Sequence, residues 1–129
     1  MTPDADEPDA DEPVPAAPVT NQYARTRVGG PFTVVEVSGE IDVATAHLLA
    51  DHLDAATSGP GPDVLVDLRY VDFFDCSGLR VLCRADRRAR ERDGRLRVVT
   101  DQPRVLRLLR ASGLSGRFPP LPRLPDEAG

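Results

Sequence analysis

Residues 63–79 read DVLVDLRYVDFFDCSGL, and this stretch joins a short apolar run to the start of a helix. Residues 63–68 have the length and composition of a strand that is buried on both faces of a sheet. After Gly78 the apolar residues recur at helical spacing until Gly94, and the opposite face of this helix is rich in arginine. A buried strand that leads into an amphipathic helix is typical of a β-α-β unit, so the stretch predicts an α/β fold.

The sequence before this stretch predicts a hairpin and a helix. Residues 23–28 and 32–37 are β-branched or alternating runs separated by Gly29-Gly30-Pro31, which favours a turn between two strands. Residues 38–42 are expected to break the second strand. Leucines at helical spacing then predict a helix that ends before Gly59-Pro60-Gly61-Pro62.

The sequence after residue 68 predicts the remaining elements. Residues 69–75 are expected to form a loop, and residues 96–99 a strand. Thr100 or Asp101 is expected to cap a third helix with Pro103 in its first turn, and Gly113 to end it in a left-handed conformation. Residues 118–124 contain prolines and are expected to add at most an edge segment. The predicted fold is a mixed four- to five-stranded sheet covered by helices.

The chain of 129 residues has room for one domain. Residues 1–20 are acidic and rich in Pro and Ala, which predicts a disordered tail, so the folded domain is expected to be residues 21–129. The sequence has no apolar stretch long enough for a membrane span and no signal-peptide pattern, so we expect a cytoplasmic protein. Its net charge of −5 includes six carboxylates in the tail, at Asp4, Asp6, Glu7, Asp9, Asp11 and Glu12.

Positive charge is concentrated in residues 80–110, where 11 arginines stand against 4 acidic residues, a net charge of +7. Such a region could contact nucleic acid phosphates. Between Phe74 and Phe118, however, the sequence has no aromatic residue to stack on bases, and the acidic tail would oppose binding. A protein partner is therefore favoured over nucleic acid.

The residue types that usually carry catalysis do not form a convincing set. Cys76 and Cys83 lie seven residues apart on the predicted helix, about 10 Å, which is too far for a disulfide, and no companion ligands suggest a zinc site. A phosphatase-like Cys-x5-Arg loop would need arginine where the chain has Leu82. We therefore expect no enzyme activity, no metal and no cofactor.

Other polar pairs have structural explanations. His47 and His52 are five residues apart, so they should lie on different faces of the first helix. Asp72 and Asp75 could suggest a carboxylate pair, but the sequence offers no partner nucleophile or base. Structural or binding roles are the expectation for all four residues.

Three segments together resemble the STAS domain family, in order and at matching intervals. They are residues 38–42 (SGEID), residues 67–79 (DLRYVDFFDCSGL) and residues 111–114 (ASGL), and the resemblance covers about residues 22–118. It implies the STAS fold and an anti-sigma factor antagonist, which binds a serine-kinase-type anti-sigma factor and releases a sigma factor. In this partner switching, phosphorylation of a Ser or Thr at the start of the second helix turns binding off.

The sequence departs from the family pattern at the phosphate acceptor, where it has Cys76. Three hypotheses follow. Cys76 could simply replace the hydroxyl and leave a binder that is always active or regulated elsewhere. Phosphorylation could instead move to Ser77. Alternatively, a thiol at a helix N-terminus could serve as a redox or alkylation sensor, although the carboxylate of Asp75 opposes its ionisation.

The resemblance also implies the residues that meet the partner, although Asp42 could equally be a helix cap. A second function class, a STAS-like accessory subunit of a membrane transport or lipid-trafficking system, is left open. Nothing in the sequence requires more than a monomer. The expected partner-binding residues are Asp42, Asp75, Cys76, Ser77, Gly78, Leu79 and Arg80.

Overall fold

The structure, a computed structural model, describes residues 18–125. Its elements are β1 (Ala24–Gly29), β2 (Phe32–Ile41), α1 (Ala46–Ala56), β3 (Asp63–Phe74), α2 (Cys76–Glu91), β4 (Arg95–Val99) and α3 (Pro103–Ala111). The predicted order β-β-α-β-α-β-α is confirmed. The predicted disordered tail lies outside the described residues except for residues 18–20, which have no regular secondary structure.

The four strands form one mixed sheet in the order β1-β2-β3-β4. β1 is antiparallel to β2, whereas β2, β3 and β4 are parallel. Among the described residues, the segment after α3 adds a single bridge between Val99 and Leu121 rather than a fifth strand. Pro119, Pro120 and Pro122 explain this, because proline has no amide to donate to a ladder.

Two predicted strand boundaries were wrong. Residues 38–42 do not break β2, which continues to Ile41, and residues 69–74 are not a loop but the second half of β3. The two strands remain paired across two register shifts, one of them beside Gly39, whose φ is +74°. These irregularities interrupt the alternation of buried and exposed residues on which the prediction relied.

All three helices pack on one face of the sheet. Their buried residues share a single apolar cluster with the strands, in which Leu53 of α1, Leu82 of α2 and Leu109 of α3 are almost fully buried. A smaller cluster on the other face contains Val34 and Leu65 and is covered by Leu124. The sheet is therefore enclosed by helices on one side and partly covered by the C-terminal segment on the other.

The start of α3 differs from the prediction. Neither Thr100 nor Asp101 is the N-cap, because that position belongs to Gln102. The hydroxyl of Thr100 instead accepts a hydrogen bond from the amide of Gln102 (3.1 Å). The Gln102 side chain donates to the backbone oxygens of Arg69 and Val71, which attaches α3 to the second half of β3. The left-handed Gly113 at the end of α3 is confirmed.

The face of the sheet away from the helices carries an acid-sensitive ion-pair group. Glu36 accepts hydrogen bonds from Arg25 (2.6 Å) and Arg27 (2.9 Å). Partial burial alone would raise the pKa of Glu36, but the hydrogen bonds and charges of Arg27 and Arg25 outweigh it and hold the pKa below its ordinary value of 4.5.

Replacing Glu36 with glutamine should make the protein less sensitive to acid. A lowered folded-state pKa contributes stability above the unfolded-state pKa, and this contribution is lost as the pH falls through the lowered value. We expect Glu36→Gln to cost less than about 1 kcal/mol at neutral pH, because both arginines are partly exposed. When the free energies of unfolding are measured in urea from pH 7 to pH 3, the values of the two proteins should converge at the acid end. A constant difference over that range would contradict the assignment.

Candidate functional site

The start of α2 lies where β2 and β3 end side by side. Ile41 pairs with Phe74, the last residue of β3, and the amide of Asp75 donates to the backbone oxygen of Ile41 (3.3 Å). Loops after neighbouring parallel strands meet at one edge of a sheet, which is where α/β proteins commonly place binding sites. The longer strands found here thus bring the segments after β2 and β3 together.

Asp75 is the N-cap of α2. Its backbone is extended, and its carboxylate accepts a hydrogen bond from the amide of Ser77 (2.8 Å). The amide of Leu79 then donates to the backbone oxygen of Asp75 (3.1 Å), which begins the helical bonds. Cys76 is therefore the first helical residue, at the positive end of the helix dipole.

Gly78 is required by the close approach of Phe74. A Cβ atom built on Gly78 would lie 2.5 Å from the ring of Phe74, closer than real Cβ contacts allow. Phe74 is itself 9% exposed and belongs to the main apolar cluster. The contact fixes the first turn of α2 on the end of β3.

Asp42 organises the loop that precedes α1. Its carboxylate accepts hydrogen bonds from the amides of Ala44 (2.9 Å) and Thr45 (3.2 Å), while Thr45 is the N-cap residue and makes no side-chain cap. The capping interpretation of Asp42 thus fits its hydrogen bonds, although the carboxylate acts just ahead of the first turn. Because Ile41 and Phe74 are paired, Asp42 and Asp75 follow adjacent strand ends.

The seven expected partner-binding residues differ in accessibility. Cys76 and Arg80 are exposed, and Asp42, Asp75 and Ser77 are partly exposed. Gly78 and Leu79 are buried, with Leu79 in the main apolar cluster at 5% exposure. The side chain of Leu79 is therefore not available to a partner in this structure, and it positions the helix instead.

Two apolar side chains beside this group were not singled out in the sequence. Val43, in the turn after β2, is 83% exposed, and Phe73, near the end of β3, is 44% exposed. Phe73 pairs with Glu40 immediately after a register shift, so the alternation in the sequence could not reveal its exposure. Both residues lie at the end of the sheet from which α2 starts, and exposed apolar area that is rimmed by polar residues marks protein interaction sites. We call Val43, Phe73, Cys76 and Arg80 the switch surface.

The histidines and cysteines of the described region do not gather into a metal-binding group. Within residues 18–125, no group of three or more His, Cys, Asp or Glu side chains could hold a metal ion. Both cysteines are free. His52 is fully buried and bonds Thr26 (2.6 Å), whereas His47 is exposed, which confirms that the two histidines face different ways. No helix in the described region has the length and apolarity to cross a bilayer.

Comparison with known proteins identifies relatives over most of the chain. The family model described as "Mlab, STAS domain" matches residues 25–123. A candidate anti-anti-sigma factor of Mycobacterium tuberculosis is 33% identical over 115 residues, covering 87% of this chain and 77% of the relative. The anti-sigma-F factor antagonist RsfA of the same species is 33% identical over 89 residues, covering 67% of this chain and 69% of the relative.

Solved structures of anti-sigma factor antagonists have the same fold as this chain. An anti-sigma factor antagonist from Mycobacterium paratuberculosis superposes with a TM-score of 0.71 at 29% identity, over 81% of this chain and 89% of the other. The unphosphorylated anti-sigma factor antagonist SpoIIAA has the same fold, with a TM-score of 0.67 at 20% identity over 81% and 91% of the two chains. The family match, the identity to curated relatives and the shared fold show that the chain belongs to the STAS domain family.

Proposed function

We propose that this protein is an anti-sigma factor antagonist that acts in the cytoplasm by binding an anti-sigma factor with a serine kinase domain, which releases a sigma factor. It regulates by binding and is not an enzyme. The observation that carries the proposal is the switch surface, where the N-terminus of α2 follows paired strand ends that carry the exposed apolar residues Val43 and Phe73. The relatives named as antagonists support this role.

The switch surface suits a protein partner better than a small substrate. Val43 and Phe73 offer apolar contact area, and Arg80 adds a side chain that protein interfaces often use. The ends of β2 and β3 fix the spacing of these residues, because Asp75 is hydrogen-bonded to Ile41. A partner would therefore meet a surface that is already arranged for binding.

Cys76 occupies the position at which the family carries its phosphate acceptor. A serine kinase cannot phosphorylate a thiol, so we propose that the binding surface is retained while its usual control is lost. Control through Ser77 and oxidation or alkylation of Cys76 are the two alternative forms of regulation. Ser77 is partly exposed, and its amide is already engaged by Asp75.

Calorimetry with the kinase domain of the cognate anti-sigma factor tests the main proposal. We expect a saturable complex with the wild type and with Cys76→Ser, because both side chains are small. Absence of binding by both proteins would refute it. A pull-down from the native cytoplasm should recover the same partner, whereas recovery of a transporter subunit instead would establish the transport or lipid-trafficking alternative.

Placing a charge on the switch surface should weaken the complex. Val43→Glu is expected to reduce affinity at least tenfold, about 1.4 kcal/mol, because it would bury an unpaired carboxylate against the partner. Val43 is almost fully exposed, so the unfolding midpoint should not change.

Val28→Glu is the matched control for this experiment. Val28 is 78% exposed but pairs with Thr33 at the beginning of β2, the end of the sheet opposite the switch surface. The Val28→Glu variant should bind the partner with the affinity of the wild type. An equal loss of affinity in both variants would show that added negative charge, rather than the position of Val43, is responsible.

A further inference from the structure

The outer face of α2 carries a line of three exposed arginines. Arg80, Arg84 and Arg87 follow one another at spacings of four and three residues, which places them on one face of the helix. Arg84 contacts Asp54 of α1 (3.3 Å), but its side chain remains 58% exposed. Within residues 18–125, Arg80 and Arg87 make no ion pair. We call these three residues the arginine stripe; Glu91 lies one turn beyond its end.

The N-terminal segment leaves the domain beside α1. The backbone oxygen of Val19 lies 3.3 Å from Nε2 of His52, which is fully buried and bonded through Nδ1 to the hydroxyl of Thr26 (2.6 Å). α1 is also the helix that contacts the stripe, because Asp54, two residues after His52, accepts the hydrogen bond from Arg84. Residues two apart on a helix face different sides, so the tail begins on the side of α1 that faces β1, whereas Asp54 and the arginine stripe lie on the side that faces α2.

The sequence before Val19 has the charge and the length to reach the stripe. Residues 4–12 contain six carboxylates and no basic residue. The seven residue steps from Glu12 to Val19 can span about 23–25 Å when extended. The path crosses α1, which is about 10–12 Å wide with its side chains, and the roughly 8–10 Å between packed helices, so an extended segment of this length can reach α2. A tether this short also keeps the local concentration of the acidic segment in the millimolar range.

We propose that the acidic segment, residues 4–12, binds the arginine stripe of α2 in the same molecule. The tether and the opposite charges favour this occupant over nucleic acid, because α2 lacks aromatic residues on which single-stranded bases could stack and the six carboxylates would repel the phosphates of a duplex. The stripe begins at Arg80, one turn after Cys76, so the bound segment covers one end of the switch surface. Competition with the partner follows from that position, and only this consequence rests on the proposed function.

NMR of the arginine Nε–H groups in the full chain, without any partner, tests the contact. The comparison is between the wild type and a variant in which all six acidic residues of the segment are replaced by their amides. At about 20 mM salt the signals of Arg80, Arg84 and Arg87 should differ between the two proteins. At about 500 mM salt they should coincide, because the Debye length falls to about 4 Å. Identical stripe signals at low salt would overturn the proposal.

Two controls decide whether the contact is local and intramolecular. Arg87→Gln should diminish the tail-dependent shift of Arg80, whereas Arg95→Gln, which removes the same charge beside Asp63 at the start of β4, should leave it unchanged. If Arg87→Gln and Arg95→Gln reduce the tail-dependent shift of Arg80 equally, the tail is attracted by net charge alone, which would overturn the proposal. A shift that grows with protein concentration would assign the segment to a second copy, which also contradicts it.

Discussion

Cys76→Ser should restore phosphorylation that the wild type lacks. In the variant the hydroxyl would stand at the first residue of α2, exposed and next to the capping carboxylate of Asp75. The helix N-terminus favours the added phosphate, which brings a charge of about −2 to a surface where Val43 and Phe73 are exposed. Incubation with the kinase-domain partner and ATP should label Cys76→Ser and not the wild type. The labelled protein should lose at least a hundredfold in affinity.

Variants of Ser77 separate this expectation from its alternative. Cys76→Ser combined with Ser77→Ala should still be labelled, whereas Cys76→Ala should not. Labelling of the wild type that disappears in Ser77→Ala would instead assign the phosphate to Ser77. Failure to label Cys76→Ser, with binding intact, would show that the partner has lost its activity toward this position.

Mass spectrometry of the wild type after mild oxidation tests the remaining hypothesis for Cys76. A reversible adduct on Cys76 that weakens partner binding would establish a redox control. Cys83 is the internal comparison, because it is partly buried against the main apolar cluster while Cys76 is exposed.

The order of the elements could be predicted because local patterns agree with the fold. The apolar run 63–68 became the first half of β3, and the helical spacing after Gly78 became α2. The ends of β2 and β3 could not be predicted, because they depend on pairing between strands that are far apart in sequence. Their register shifts place polar residues such as Asp72 inside a strand, where a single sequence suggests a loop.

The sequence located the candidate site along the chain, but it did not show which side chains of the site are exposed. The motif at residues 75–79 located the helix start and its capping residue, since an Asx cap is a local feature. Which side chains are accessible depends on the tertiary packing. Leu79 turned inward against the core, while Val43 turned outward from a loop whose sequence carries no signal for exposure.

Because the site meets the core at Gly78, replacing this residue should have a large effect on stability. An alanine there would place its Cβ atom 2.5 Å from the Phe74 ring, so either the ring or the first turn of α2 must move. Overpacking of this kind costs about 1–3 kcal/mol, and the better helix propensity of alanine offsets at most about 1 kcal/mol. We expect Gly78→Ala to lower the unfolding midpoint by several degrees, measured by circular dichroism, and to weaken partner binding.

A smaller side chain at residue 74 should relieve the clash and so identifies its cause. Phe74→Leu removes the ring atoms nearest to the added Cβ, so the double variant should lose less stability than the sum of the two single variants, by about 1 kcal/mol or more. Gly116→Ala is the matched control, since nothing lies within 4 Å of a Cβ at that position. Strict additivity of Phe74→Leu and Gly78→Ala would mean that the contact does not set the helix start. Coupling accompanied by recovered partner affinity would show that the packing of Phe74 against Gly78 holds the switch surface in its binding geometry.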